Sequence, residues 1–167
     1  FQSVNETPLG MVDGDRVVLS GECERRRSGK VRVDARFDEE VVLVHFYPGM
    51  SPRRLSSYLD GSHGVVIAGT GLGHVSQEII PVIRRLTGDG VPVCITTQCI
   101  WGSAHLEVYS TGRDMLAAGA IPLGDMLSET AYVKLSWVLA HTRELEEVRE
   151  MMLTNLRNEM AQRRFLG

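Results

Sequence analysis

Three short stretches of this chain are apolar almost throughout: Val41-Val42-Leu43-Val44-His45-Phe46, Gly64-Val65-Val66-Ile67-Ala68-Gly69 and Val91-Pro92-Val93-Cys94-Ile95-Thr96. Strands apolar on both sides belong to a parallel sheet covered on both faces by helices. The intervening segments have helical spacing. Ser51-Pro52 is a start signal, with Ser as N-cap and Pro at the first helical position, leading into Leu55 and Leu59. Ser76 offers a cap to the next segment, whose Ile79, Ile80, Ile83 and Leu86 form one stripe. Pro81 moves the true helix start a few residues later, and Gly88-Asp89-Gly90 ends the helix. Strand, helix, strand, helix, strand is the βαβ pattern.

Beyond residue 100 the pattern is mostly helical. Thr111–Leu116 starts a short helix, and Ser128–His141 turns Ala131, Leu135, Val138 and Leu139 toward a core. Leu145, Val148, Met152 and Leu156 are expected to be a stripe on the last helix. The predicted fold class is α/β: a three-layer, Rossmann-like parallel sheet with helices on both faces, over residues 41–167. Residues 1–40 read as an arm. Its β-like runs, Arg16–Leu19 and Val31–Val33, predict a β-hairpin turning through Glu24-Arg25-Arg26-Arg27-Ser28-Gly29.

Composition narrows the function classes. The 167 residues suit one ordinary domain, and 43% apolar with 23% charged residues excludes a disordered, collagenous or fibrous chain. Eighteen basic against 21 acidic residues give a net charge of -3, without the strong basic field of a general nucleic-acid binder. Arg25–Arg27 therefore reads as a solvated hairpin tip ahead of a phosphate or RNA contact. No apolar run approaches the roughly 18 residues that span a bilayer. The chain opens on Phe1 rather than Met, so a piece of something longer is expected. Cys23, Cys94 and Cys99 are sparse and lack metal-ligand spacing, which suggests reduced thiols and a cytoplasmic setting.

In open parallel sheets ligands bind beyond the carboxyl ends of the strands. The loops leaving those ends are Tyr47–Ser51, Ala68–Val75 and Thr96–Ser103, all rich in small and polar residues. Gly69-Thr70-Gly71-Leu72-Gly73 is not the dinucleotide fingerprint, since its third Gly comes one residue early. It is not a P-loop either, because no Gly-Lys-Ser/Thr follows. It reads instead as backbone that lets another group come close. His74 is either a hydrogen-bonding residue toward a polar ligand or a structural one. Cys99 would need a base such as His74 or His105 to act as a nucleophile; otherwise Cys94 and Cys99 are small buried residues. Trp101 and His105 share the rim. With no G-x-S-x-G, H-E-x-x-H or paired metal ligands, the residues describe half of a site.

The stretch Phe1-Gln2-Ser3-Val4-Asn5 with Pro8-Leu9-Gly10, the Tyr47-Pro48-Gly49 entry and the Gly69–Val75 loop resemble the C-terminal part of L-asparaginases. Thr97–Gly102, Val108–Arg113, Glu129–Leu135 and Met152–Leu156 resemble one branch of that family most: the asparaginase-like D subunits of archaeal-type glutamyl-tRNA(Gln) amidotransferases. The resemblance covers essentially the whole chain. It implies a glutaminase subunit that liberates ammonia from glutamine. The E subunit of the amidotransferase then uses the ammonia, with ATP and Mg, to convert Glu-tRNA(Gln) to Gln-tRNA(Gln).

The resemblance further implies that the catalytic Thr, Thr, Asp and Lys lie in an N-terminal domain outside this chain. Thr70, Thr96 and Thr97 are not expected to be catalytic. This chain is expected to form a homodimer and to lend substrate-binding loop residues: Gly71, Gly73 and His74 first, then Gln98. No metal site and no cofactor of its own are implied, tRNA(Gln) is met indirectly, and no membrane is involved. A cytosolic L-asparaginase, a non-enzymatic dimerisation or docking module and a self-contained small-ligand binder remain as alternatives.

Overall fold

The computed structural model describes residues 3–6, 8–20 and 28–161. At its centre are four parallel strands, β3 (Val41–His45), β4 (Gly64–Gly69), β5 (Val93–Thr97) and β6 (Ile121–Pro122), in spatial order β3-β4-β5-β6. Val41 pairs with Gly64 and His45 with Ala68; Val65 pairs with Val93 and Gly69 with Thr97. The fourth strand is not legible in the pattern, because its two residues are too few to carry one.

All six residues of β4 and all five of β5 are buried. Their side chains alternate between two apolar layers. Val65, Ile67, Val93 and Ile95 face α1 (Pro52–Tyr58), α2 (Ile80–Gly88) and α3 (Ser110–Ala117), meeting Leu55, Leu59, Ile83 and Met115. Val66 and Cys94 face α4 (Ser128–Leu139) and α5 (Leu145–Leu153), meeting Leu135, Val138, Val148 and Met152. Each of these fully buried aliphatic side chains contributes about 1.5–3 kcal/mol, so the sheet position is strongly determined. The expected three-layer α/β architecture is the one observed.

The helix starts follow the capping chemistry. Ser51 caps α1 by accepting from the Arg54 N–H at 3.4 Å, with Pro52 at the first helical position. Ser76 precedes a single 3-10 turn, Gln77–Ile79, and α2 proper begins at Ile80 beside Pro81.

Two expectations need correction. The arm does contain a β-hairpin, but β2 (Arg16–Leu19) pairs with β1 (Gly10–Asp13), not with Val31–Val33, which is in no strand. Asp13-Gly14-Asp15-Arg16 makes the turn, with Gly14 at φ +56°. A two-residue loop containing Gly supplies the twist that a tight hairpin needs. The Glu24–Arg27 stretch lies outside the described residues. Leu156, expected on the last helix, is beyond its end: α5 stops at Leu153.

Two polar networks fasten the periphery. Lys134 of α4, with a side chain 6% exposed, donates to the Met152 carbonyl (3.0 Å), the Thr154 carbonyl (2.6 Å) and Glu159 Oε1 (2.7 Å). Glu159 in turn accepts from the backbone N–H groups of Leu156 (3.0 Å) and Arg157. On the arm side, the Asp38 N–H donates to the Ser136 carbonyl at 2.9 Å. The Asp38 carboxylate meets the Glu40 N–H (2.9 Å), His63 Nδ1 (3.0 Å) and Arg143. Burial pushes that carboxyl up, but these three partners outweigh it and hold it below its usual range.

Candidate functional site

The strand order has a consequence for where a ligand can sit. In doubly wound sheets a crevice opens where the strand order reverses. Here the order runs β3-β4-β5-β6 without reversal. The carboxyl edge is therefore a continuous wall, built from the loops after β3, β4 and β5.

The glycine loop after β4 is folded tightly onto this wall. Thr70 and His74 exchange backbone hydrogen bonds, both 2.9 Å, and the Gly73 N–H reaches the Thr70 carbonyl at 3.0 Å. Gly71 and Gly73 take φ values of +55° and +90°. Only glycine adopts these freely. At Gly69 a Cβ would come within 2.4 Å of the Gly73 backbone, so the closure of the turn itself requires glycine.

Side chains and backbone of the loop after β5 lock the turn in place. Thr97 Oγ1 donates to the Gly71 carbonyl (2.5 Å) and accepts from the Cys99 N–H (3.0 Å). The His105 N–H donates to the Leu72 carbonyl at 3.0 Å. Gln98 Nε2 donates to the carbonyls of Phe46 (2.5 Å) and Ala68 (2.8 Å), clipping the loop after β3 to the end of β4. Its side-chain oxygen takes no part in those two bonds. Gly71, Gly73 and Gln98 are thus brought together at one edge. Gly71 lies exposed at the loop tip and Gly73 is buried beneath it.

His74 belongs to the same loop but turns back into the protein. Its Nε2 is buried without a hydrogen-bond partner, and its ring meets Tyr109 edge-on at 5.3 Å between centroids. Thr70 Oγ1 donates to the His74 carbonyl at 3.2 Å, and Thr96 Oγ1 is buried with no hydrogen-bond partner. The three Thr hydroxyls thus serve the loops or lie in the core.

Cys23 lies outside the described residues, and the two described cysteines do not make a nucleophilic centre. Burial pushes the Cys94 thiol up to about 12, which keeps it protonated and inert. Cys99 is exposed, and among the described residues no imidazole hydrogen-bonds it. No cluster of His, Cys, Asp and Glu suited to a metal ion occurs among those residues, and none of their helices is long and apolar enough to cross a membrane.

The rim around the wall carries exposed apolar side chains. Tyr47 is 57% exposed, Ile100 61%, Trp101 55% and Tyr109 59%. Aromatic side chains presented together at a loop edge are typical of interfaces. The arm joins this rim through a residue that the sequence pattern does not single out as a contact. Asn5, at φ +57°, directs its Nδ2 to the Gly102 carbonyl at 3.0 Å, with the Ile100 and Asp125 carbonyls at 3.4 Å. A cavity of about 730 Å³ lies elsewhere, between residues 32–37, α4 and residues 156–159.

Residues 40–152 match the glutaminase/asparaginase C-terminal domain family. The chain belongs to that family. This asparaginase-type domain is 50% identical over 163 residues to the D subunit of glutamyl-tRNA(Gln) amidotransferase from Pyrococcus horikoshii, covering 96% of this chain and 37% of the relative. It is 49% identical over 170 residues to the D subunit of the same name from Aeropyrum pernix, covering 99% of this chain and 40% of the relative. Among solved structures, the thermostable L-asparaginase from Thermococcus kodakarensis superposes with a TM-score of 0.85 at 36% identity, over 96% of this chain and 49% of the other. The domain therefore spans well under half the length of these curated relatives. Two of the four segments that resemble the D-subunit branch, Glu129–Leu135 and Met152–Leu156, are joined by Lys134.

Proposed function

We propose that this chain is the C-terminal part of a glutaminase subunit of a glutamyl-tRNA(Gln) amidotransferase. Its task there is to complete the substrate cavity and to pair with a second copy. The observation carrying this reading is the braced glycine loop, which leaves the Gly71 backbone exposed at the carboxyl edge of the sheet. Near-50% identity to the D-subunit relatives along almost the whole chain supports it.

In this reading Gly71 and Gly73 bring backbone close to the substrate of the neighbouring copy, and Gln98 and His74 hold that backbone in register. Hydrolysis of the glutamine amide to glutamate and ammonia is carried out by Thr, Thr, Asp and Lys side chains of an N-terminal catalytic domain. The exposed Tyr47, Ile100, Trp101 and Tyr109 are covered by dimerisation. The E subunit of the amidotransferase, which uses ATP and Mg, receives the ammonia and amidates Glu-tRNA(Gln) in the cytoplasm.

The structural likeness to an L-asparaginase favours a second reading, in which the same wall serves asparagine and the products are aspartate and ammonia. Ammonia release from glutamine and asparagine is measured for the chain alone and for the chain joined to an asparaginase-type N-terminal domain, with and without the E subunit and mischarged tRNA. The expected result is no turnover by the chain alone and tRNA-coupled glutaminase activity in the assembly. Turnover by the isolated chain that survives substitution of Cys99, Thr70, Thr96 and Thr97 refutes the proposal. A clear preference for asparagine, without response to tRNA, selects the second reading.

A further inference from the structure

Residues 32–37 of the arm form one wall of the cavity of about 730 Å³. Arg32, Asp34 and Phe37 stand on that side; Val133 and Trp137 of α4, with Leu156, stand opposite. Val31 and Val33 are 90% and 83% exposed, so packing does little to hold the arm here. Two polar fastenings hold it instead. The first is at Asp38, whose N–H donates to the Ser136 carbonyl and whose carboxylate meets Arg143, a side chain that keeps its charge in any ordinary buffer. The second is the single hydrogen bond, among the described residues, from 28–37 to the domain body: Asp34 Oδ2 to His141 Nε2, at 2.8 Å.

The other nitrogen of that imidazole, Nδ1, is 2.6 Å from the Trp137 carbonyl oxygen. Arg36, then His141, holds the Asp34 carboxyl well below its usual range, so it is purely an acceptor. Both ring nitrogens therefore face acceptors. A neutral imidazole has one N–H and serves only one of them; the doubly protonated ring serves both. Either neutral tautomer sets a bare lone pair against an oxygen. The charged groups around the ring are Asp34 and Arg36 of the arm and, across a shared cleft, Asp38 and Arg143. Beyond them His63 bonds Asp38, and Glu147 of α5 accepts from Thr142. Asp34 and then the Trp137 carbonyl raise the imidazole above its ordinary value, against burial and the Arg36 guanidinium.

We propose that the second proton on His141 assembles this cavity: the imidazolium clasps Asp34 and sets the arm's wall in place, and its loss lets residues 32–37 swing out while Asp38 stays as the pivot. His141 is a positioning residue for the wall. The cavity is whole on the acid side of its titration and loses a wall as pH rises through the raised value.

None of this depends on a catalytic domain, so the test uses this chain. Imidazole 15N shifts are expected to show both nitrogens of His141 protonated at about pH 6. Anilinonaphthalene sulfonate, which lights up on apolar surface, probes the cavity. Its emission is expected to fall severalfold toward alkaline pH, with the midpoint of the His141 shifts, while the Asp38 amide signal stays in place. Asp34→Asn gives the sharpest contrast. Its amide can accept from the imidazolium or donate to the bare nitrogen of the neutral ring, so the probe is expected to stay bound at both ends of the range. His141→Ala is expected to leave emission low throughout. A single protonated nitrogen at about pH 6, emission that does not track the His141 midpoint, a pH response that survives in either variant, loss of the probe from Asp34→Asn, or an Asp38 amide that moves with the wall overturns the proposal. Should His141→Ala fail to fold, the parent chain and Asp34→Asn decide by the same criteria.

Discussion

Replacing Lys134 by Met tests how the last helices are fastened. The ammonium makes three bonds, to two carbonyls beyond the middle of α5 and to Glu159. Met fills the space of the alkyl stem but leaves the carbonyls of Met152 and Thr154 without this donor. It also leaves the Glu159 carboxylate, only 9% exposed, without its counter-charge. Removing one member of a buried pair typically costs about 3–5 kcal/mol. The 155–161 segment can relieve part of this by undocking and carrying Glu159 into water, so the expected loss is about 3 kcal/mol. In a domain of this size that lowers Tm by about 6–12 °C. Urea and thermal melts followed by circular dichroism measure it. Changing both partners, Lys134→Met with Glu159→Gln, is expected to recover about half, because the uncharged amide oxygen can still accept from the Leu156 N–H. A Lys134→Met protein within about 0.5 kcal/mol of the parent would refute the reasoning, since that is the range of surface substitutions.

The same carboxylate predicts an acid limb. Burial pushes Glu159 up, but Lys134 and the N–H groups of Leu156 and Arg157 bring it down from 4.5 to about 2. A depressed carboxyl stabilises the fold above its unfolded pKa, so about 2 kcal/mol is lost as pH falls from roughly 4.5 toward 2. Glu159→Gln is expected to abolish that part of the pH–stability curve. His141 carries the opposite sign: the Asp34 carboxylate at 2.8 Å, then the Trp137 carbonyl, raises it above 6.5. Its grip on the arm is full below pH 6.5 and disappears as pH rises through the raised value. Trp137 lies 4.2 Å from that imidazole between ring centroids, so its fluorescence, read in a Trp101→Phe background, should recover with a midpoint above 6.5; a midpoint at or below 6.5 counts against the contact. Gln98→Glu, nearly isosteric, sets a carboxylate oxygen against the Phe46 and Ala68 carbonyls and is expected to cost about 1–3 kcal/mol, seen as a lower urea midpoint with unchanged slope.

Much of the fold is legible in the sequence because burial on both faces leaves an unambiguous signal. The runs at 41–46 and 64–69 each contain a strand of the central sheet, the run at 91–96 covers all of β5 but Thr97, and Ser51-Pro52 marks α1 to the residue. What escapes is structure fixed by few residues or by distant partners. β6 is two residues long and is held by pairing with Cys94 and Ile95. The hairpin's true partner, Gly10–Asp13, is masked because Val31–Val33 looks more β-like, although Asp13-Gly14-Asp15 supplies the turn. At the site, the grouping of Gly71, Gly73 and Gln98 follows from strand ends. The inward turn of His74 and the tether from Asn5 do not, since the one packs on Tyr109 and the other depends on a backbone group 97 positions away. Lys134 shows itself in sequence only as a charge interrupting an apolar helix, 25 residues ahead of its carboxylate partner.

That 25-residue separation also gives the fold an order of assembly. During synthesis α4 emerges before Glu159 does, and domains consolidate from the N-terminal side. The layer containing α1, α2 and α3 can close on the sheet first. Lys134 meanwhile has no carboxylate to receive it, and the opposite layer stays loosely seated until the final turn of the tail arrives. A released chain ending a few residues short of Glu159 would therefore display a half-clad sheet, and quality-control proteases would find their cut sites on the α4–α5 side.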